Sequence, residues 1–295
     1  VEFPVYLLLP FVSSIIYTFS AVIFKKLLDD GVNPWFINFL SNVATCVLAL
    51  PLLFADPMPM HSMPFVRPLI AGLVFMVGQM ASLLALKHGD VSVATPLLGM
   101  KVLLVALFTV IVLYQPVSPG LWAAAFMATF AFVLLRGPKS RSRSNFLSTV
   151  LYSLLCAASF ALCDILIQKW APSCGSGKFL TLMFIIIAVL SLVFLPFFRL
   201  EPLSYSSKAW KWLSWGIFFI ALQALGMGIA LSYFGNATAT NIVFSSRGIW
   251  SVLIVWRFGA LFGNKEKEAG TNTMIARLAG STLLFAAIAL VIIKH

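Results

Sequence analysis

"ALKHGDVSVATPLLGMKVLL", Ala85 to Leu104, has a second, weaker copy later in the chain, "IALSYFGNATATNIVFSSRGIW", Ile229 to Trp250. With one laid over the other, Gly89 falls on Gly235, Asp90 on Asn236, Ser92 on Thr238 and Lys101 on Arg247. Each copy opens on turn-forming residues and runs into apolar sequence that carries a cation. The neighbouring stretches repeat in the same order. Gln79 and Gln223 each stand just upstream, followed by Ala85-Leu86 and Ala230-Leu231. "SSIIYTFSAVIFKKL" aligns with "AASFALCDILIQKW", which sets Tyr17 over Phe160, Ser20 over Cys163 and Lys26 over Lys169. Similarity that keeps its order along the chain marks a duplication, a common construction of membrane carriers.

Composition names the medium. The 295 residues are 61% hydrophobic and 10% charged, with a mean hydropathy of +1.01, whereas soluble domains are about a quarter charged. Apolar runs of about 20 residues, each long enough to cross a hydrocarbon core as a helix, recur along the whole length. They fall near 4–28, 33–54, 66–87, 91–113, 117–136, 146–169, 178–198, 210–233, 237–262 and 272–293, ten in all. Backbone polar groups in lipid must be satisfied within the segment, and runs of this length do so as helices. The expected fold is an all-α integral membrane protein. Because five spans per half is an odd number, the second half must enter the membrane in the opposite sense. The halves are residues 1–138 and 146–295, joined by a basic loop at 139–145. The first span, with only Glu2 among charges before it, reads as a retained helix and not as a cleaved leader.

The formal charge of +11 would suit nucleic-acid binding in a soluble protein. Here most Lys and Arg lie in short loops, and topology accounts for them. Lys101 and Arg247 apart, the side bearing the termini holds Arg67, Lys169, Lys178 and Lys294, and the other side holds fourteen basic residues. The positive-inside rule then places both termini outside. Cys46, Cys156, Cys163 and Cys174 show no metal-ligand spacing and read as small apolar residues.

The ten spans, the junction "ALKHGDVSVATPLLG" with its second copy "ALSYFGNATATNIVFSS", and Pro96 early in the fourth span resemble the drug/metabolite transporter superfamily, of the ten-helix EamA type. The resemblance covers nearly the whole chain. It implies two inverted five-helix repeats around a central cavity lined by the first, third, fourth, sixth, eighth and ninth helices, with both termini inside. The chain departs from that pattern on orientation, as the charge count shows. It also departs at Gln115, where many relatives have an acidic residue.

Lys101 is placed about ten residues into its span, roughly 15 Å from the end and near mid-bilayer. A charge there costs about 2.5–3.5 kcal/mol and needs a wet cavity or a partner. Arg247 stands at the matching place, and two cations about 8 Å apart at an effective dielectric of about 20 repel by roughly 2 kcal/mol. A negative group is expected between them. Helical spacing groups Thr240, Arg247 and Ser251 on one stripe, and Ala94, Lys101, Val105 and Phe108 on another. Asp164 lies well inside a span and is the candidate counter-ion or proton-coupling carboxylate, on a face with Ser153, Ala157 and Gln168. Gln79 and Gln223 are candidate donors to substrate or clamps between helices, Tyr17 a cavity aromatic and Pro96 a hinge.

No nucleophile and base constellation, phosphate loop or metal cluster is present in the sequence, so no enzyme, cofactor or metal is expected. The expectation is a secondary carrier of a small anionic or zwitterionic metabolite, such as an amino acid, organic acid or phosphate ester, working by alternating access. Its partners would be that small molecule and membrane lipid, with no nucleic acid, as a monomer or homodimer in the plasma or inner membrane. The rivals are a non-transporting membrane subunit with a structural charge cluster, and an exporter of hydrophobic or cationic compounds.

Overall fold

A computed structural model describes residues 5–55, 64–88, 98–134, 146–198, 205–258 and 271–294. Among these the chain is helical, with no strand. The elements are α1 (Leu8–Asp29), α2 (Pro34–Ala49), α3 (Val66–His88), α4 (Lys101–Leu113), α5 (Pro119–Leu134), α6 (Phe146–Cys174), α7 (Ser176–Leu190), α8 (Ser207–Phe234), α9 (Ala237–Phe244), α10 (Arg247–Phe258) and α11 (Thr271–Lys294). Residues 5–29, 34–54, 150–174, 176–197 and 207–234 form helices long and apolar enough to span a membrane, and shorter apolar helices lie at 66–82, 101–113, 119–131 and 279–293. The ninth span is built from two pieces, α9 and α10, so the order of ten segments is that expected.

Local chemistry sets the ends. Asn33 accepts from Trp35 N, with Pro34 opening α2, which satisfies a free N–H at the point where proline is tolerated. Ser206 does the same for Ala209 at the start of α8. The sixth span runs past the expected residue 169 to Cys174, carrying Pro172 in its last turn, and Gly175 at φ +77° turns the chain directly into α7. Lys178, expected as a topological loop charge, is instead buried in the first turn of α7.

The packing repeats with the sequence. α3 lies on α6 as α8 lies on α1, α2 on α8 as α7 on α3, and α4 on α6 as the α9–α10 pair lies on α1. The pairs α2–α7, α4–α9 and α5–α11 join each element to its own counterpart. This is the contact pattern of two inverted five-helix repeats. Even single bonds recur: Ser20 Oγ on α1 donates to Gly216 O on α8 at 2.9 Å, and its counterpart Cys163 Sγ on α6 reaches Ala71 O on α3 at 3.6 Å.

Lipid supplies no hydrophobic drive between helices, so small residues that allow close approach do the packing. Ala106 on α4, fully buried, belongs to one cluster with Ala124, Ala125, Ala128 and Ala131 of α5 and Leu284, Ala287 and Val291 of α11. Large apolar side chains such as Leu151, Val189 and Phe218 face outward, where the acyl chains would lie. At Gly216 the approach is close, since a Cβ there would stand 2.7 Å from Phe24 Cε1. Gly216→Val should therefore lower the unfolding temperature in detergent, overpacking of this kind costing about 1–3 kcal/mol. Gly72→Ala, whose Cβ would meet Ile186 at 3.2 Å, should lower it less in the same measurement.

Candidate functional site

The two cations stand at equivalent places, but not in mid-helix. Met100 forms a turn and Lys101 is the first residue of α4; Ser245 and Ser246 form a turn and Arg247 is the first residue of α10. The expectation of Lys101 ten residues into a continuous helix is thus corrected. At the second break the backbone tightens, with Ser246 N bonding Val243 O, Gly248 N bonding Ser245 O and Ile249 N bonding Ser246 O, each three residues back. Ser245 Oγ is turned onto Ile242 O at 2.5 Å. Serine hydroxyls that bond backward, together with a glycine, weaken the regular ladder in this way. The N–H groups of Gly248, Ile249 and Trp250 are thus bonded back into the turn, and the N-terminal end of each following helix is the positive end of its dipole. A lysine and an arginine stand on top of that charge.

Asp164, nearly three turns short of the end of α6, answers the first cation. Lys101 Nζ is 2.7 Å from Asp164 Oδ2, with 16% and 13% of the two side chains exposed. The same oxygen accepts Asn241 Nδ2 at 2.7 Å, and Asn241 also donates to Ala237 O at 3.0 Å. One carboxylate oxygen therefore joins α4 of the first repeat to α6 and α9 of the second. Arg247 is held differently: its Cζ lies 5.0 Å from the centroid of Tyr17 and 4.9 Å from that of Phe244. Those two rings meet edge to face at 5.8 Å. Cation–π contacts of this kind contribute about 0.5–2 kcal/mol each. Thr18 Oγ1 reaches Arg247 O at 3.5 Å, and Ser14 and Ser246 share a hydroxyl bond at 2.7 Å, so α1 grips the second break.

Toward the chain termini a polar layer joins the helix ends. Gln168 Oε1 accepts Ala237 N at 2.7 Å and its Nε2 reaches Gln115 Oε1 at 3.4 Å; Lys169 Nζ donates to Val112 O at 2.9 Å. Gly235 and Asn236 take positive φ, and Asn236 caps Ala239 N while reaching Tyr6 OH at 3.4 Å. Tyr6 stacks on Phe234 at 5.6 Å.

The other candidates separate into groups. Tyr17 joins Arg247, and Asp164 joins Lys101. Gln79 is engaged in a reciprocal pair with Asn42, at 2.8 and 3.1 Å, which clamps α2 to α3. Gln223 is half-buried on α8 and has no hydrogen-bond partner among the described residues. Thr240 is fully buried in α9, and its hydroxyl has no partner among them either. The break at Ser245 separates it from Arg247, so the expected continuous stripe does not exist. Ser251 lies one turn along α10, its side chain outside those described. Val105, expected on a cavity wall, is fully buried in an apolar cluster with α6 and α7, and Phe108 packs against it. Pro96 and Ala94 lie outside the described residues. Asn241, Gln168 as a cap and Asn42 were not anticipated as partners. An asparagine in an apolar span was the available signal for two of them.

With the fold and the site in view, comparison with known proteins is informative. The model of the EamA-like transporter family matches residues 4–137, the first repeat. The first half of the chain is thus similar to EamA-type proteins of the drug/metabolite transporter superfamily. Together with the apolar spans, that similarity supports a multi-pass integral membrane protein of the drug/metabolite transporter type. No curated protein matches. A solved structure, described only as that of a protein, is similar over 98% of this chain and 98% of that one, with a TM-score of 0.74 at 16% identity, and so shares the fold.

Removing one member of a buried ion pair strands the other charge, at about 3–5 kcal/mol, whereas removing both is far milder. Lys101→Met and Asp164→Leu should each markedly lower the unfolding temperature of the protein in detergent. The double variant should regain most of the loss, and a double-mutant cycle measures the coupling.

Proposed function

We propose that the protein is a secondary carrier that binds a small metabolite through a carboxylate or phosphate group between Lys101 and Arg247 and moves it by alternating access. The observation that carries this reading is the duplicated arrangement in which each cation opens the helix that follows a break in its span. Broken spans, whose half-helix N-termini are positive dipole ends, are how membrane carriers hold anionic groups near mid-bilayer. Arg247 would meet the anion through its planar fork and Lys101 as a point charge. Tyr17 and Phe244 pre-orient the guanidinium, which reduces the ordering lost on binding.

The polar layer of Gln168, Gln115, Asn236 and Tyr6 would be the closed gate on the terminus-bearing side. Opening it would require that the repeats rock about the site. No nucleotide-binding motif is present in the sequence, so the drive would be a gradient, protons or exchange. The Lys101–Asp164 pair favours one rival, a non-transporting subunit in which the charges only hold helices together.

Thermal unfolding of the detergent-purified chain against amino acids, organic acids, phosphate esters and organic cations tests the reading. Ligand at a hundred times its Kd stabilises by about 2.7 kcal/mol. A carboxylate or phosphate class should raise the unfolding temperature, and a folded Arg247→Gln should lose that response. A response to organic cations alone would favour the exporter, and no response with early unfolding of Arg247→Gln would favour the subunit.

A further inference from the structure

The two repeats agree at the cations and disagree at the carboxylate. In the alignment that sets Tyr17 over Phe160, the residue over Asp164 is Ala21. Tyr17 and Ala21 are one turn apart on α1 and share a face, and Tyr17 is the ring under the Arg247 guanidinium. Thr18 on the same helix touches the Arg247 carbonyl. Position 21 therefore lies on the face of α1 that carries the second cation, the counterpart of the position from which Asp164 reaches the first. It is partly exposed.

Resting on the anion-carrier reading, we propose that Asp164 is a specificity-determining residue: it occupies Lys101 as a built-in counter-ion, so that the site accepts one carboxylate and discriminates against a second. Asn241 is its positioning residue. Its amide is itself fixed by Ala237 O and holds Asp164 Oδ2 on Lys101. A monocarboxylate or an amino acid adds one negative group beside Arg247 and leaves the internal pair in place. A dicarboxylate or a phosphate dianion would need the Lys101 ammonium as well. It would have to displace a carboxylate already bonded twice, or lie against it as a like charge in a weakly screened site. Discrimination of about tenfold corresponds to about 1.4 kcal/mol, the scale of a single hydrogen bond to a charged group.

The test uses ligand pairs that differ by one carboxylate, alanine against aspartate and lactate against malate, at constant ionic strength. Apparent Kd is read from thermal unfolding of the full detergent-purified chain. The parent should bind the monocarboxylate of each pair about tenfold tighter. Asp164→Asn should shift the ratio about tenfold toward the dicarboxylate. Ala21→Asp, which places a second carboxylate opposite Arg247, should abolish the monocarboxylate response while leaving the unliganded unfolding temperature near that of the parent. Asn241→Leu should shift the ratio in the direction of Asp164→Asn, by less. Equal binding within each pair by the parent, or an unchanged ratio in a folded Asp164→Asn together with an unchanged response in Ala21→Asp, would overturn the proposal. If Asp164→Asn does not fold, the Ala21→Asp response decides alone. If no anion stabilises the parent, the anion-carrier reading fails first and this inference falls with it.

Discussion

One carboxylate oxygen joins the two halves of this protein. Asp164 Oδ2 receives an ammonium from the first repeat and an amide from the second, both at 2.7 Å. With little of either charged side chain exposed, each of these groups takes its partner from the protein and fixes the others. The registry of α4 against α6, and of α6 against α9, follows from that single point. The apolar residues around it, among them Val105, Ile165 and Ala161, are fully buried and close-packed. Those contacts are non-directional and would tolerate small slips that the bridge does not.

Symmetry decides much of what surrounds that point. Two copies of a five-helix unit, related by a two-fold axis in the membrane plane, must bring equivalent residues together across the axis. Hence α4 meets α9, with Thr109 and Thr238 hydroxyls 3.2 Å apart, and the Ser20 and Cys163 contacts repeat. The departures from symmetry locate the chemistry. Ala21 stands where Asp164 stands, and the ring under Arg247 is a tyrosine where its counterpart is Phe160. A site with two equal halves could only match a symmetric ligand; inequality at these positions gives the two ends of a metabolite different surroundings.

The basic residues on the terminus-bearing side have other tasks than topology. Arg67 donates to Ser173 Oγ at 2.9 Å, Lys169 caps the carbonyl end of α4 and Lys178 is buried in α7. A cation near the last carbonyls of a helix is favourable through the helix dipole and through direct hydrogen bonding. Charges that complete a helix end are fixed by packing and report little on which side of a membrane they face.

The sequence alone determined the medium, the helices and the duplication, because hydropathy over about 20 residues and the need to satisfy every backbone group in lipid leave few alternatives. It also exposed Lys101, Arg247 and Asp164, since charges in apolar spans stand out whatever the fold. What it could not determine was pairing. Gln79 and Gln223 look alike in sequence, yet Gln79 is taken up by Asn42 across α2 and α3. Thr240, Arg247 and Ser251 fit one helical stripe on paper, and two consecutive serines break the helix between the first and second of them. Periodicity assumes an unbroken helix, and a side chain's partner depends on which neighbour the packing brings within about 3 Å. Both of those are properties of the assembled bundle, and only the tertiary structure could supply them.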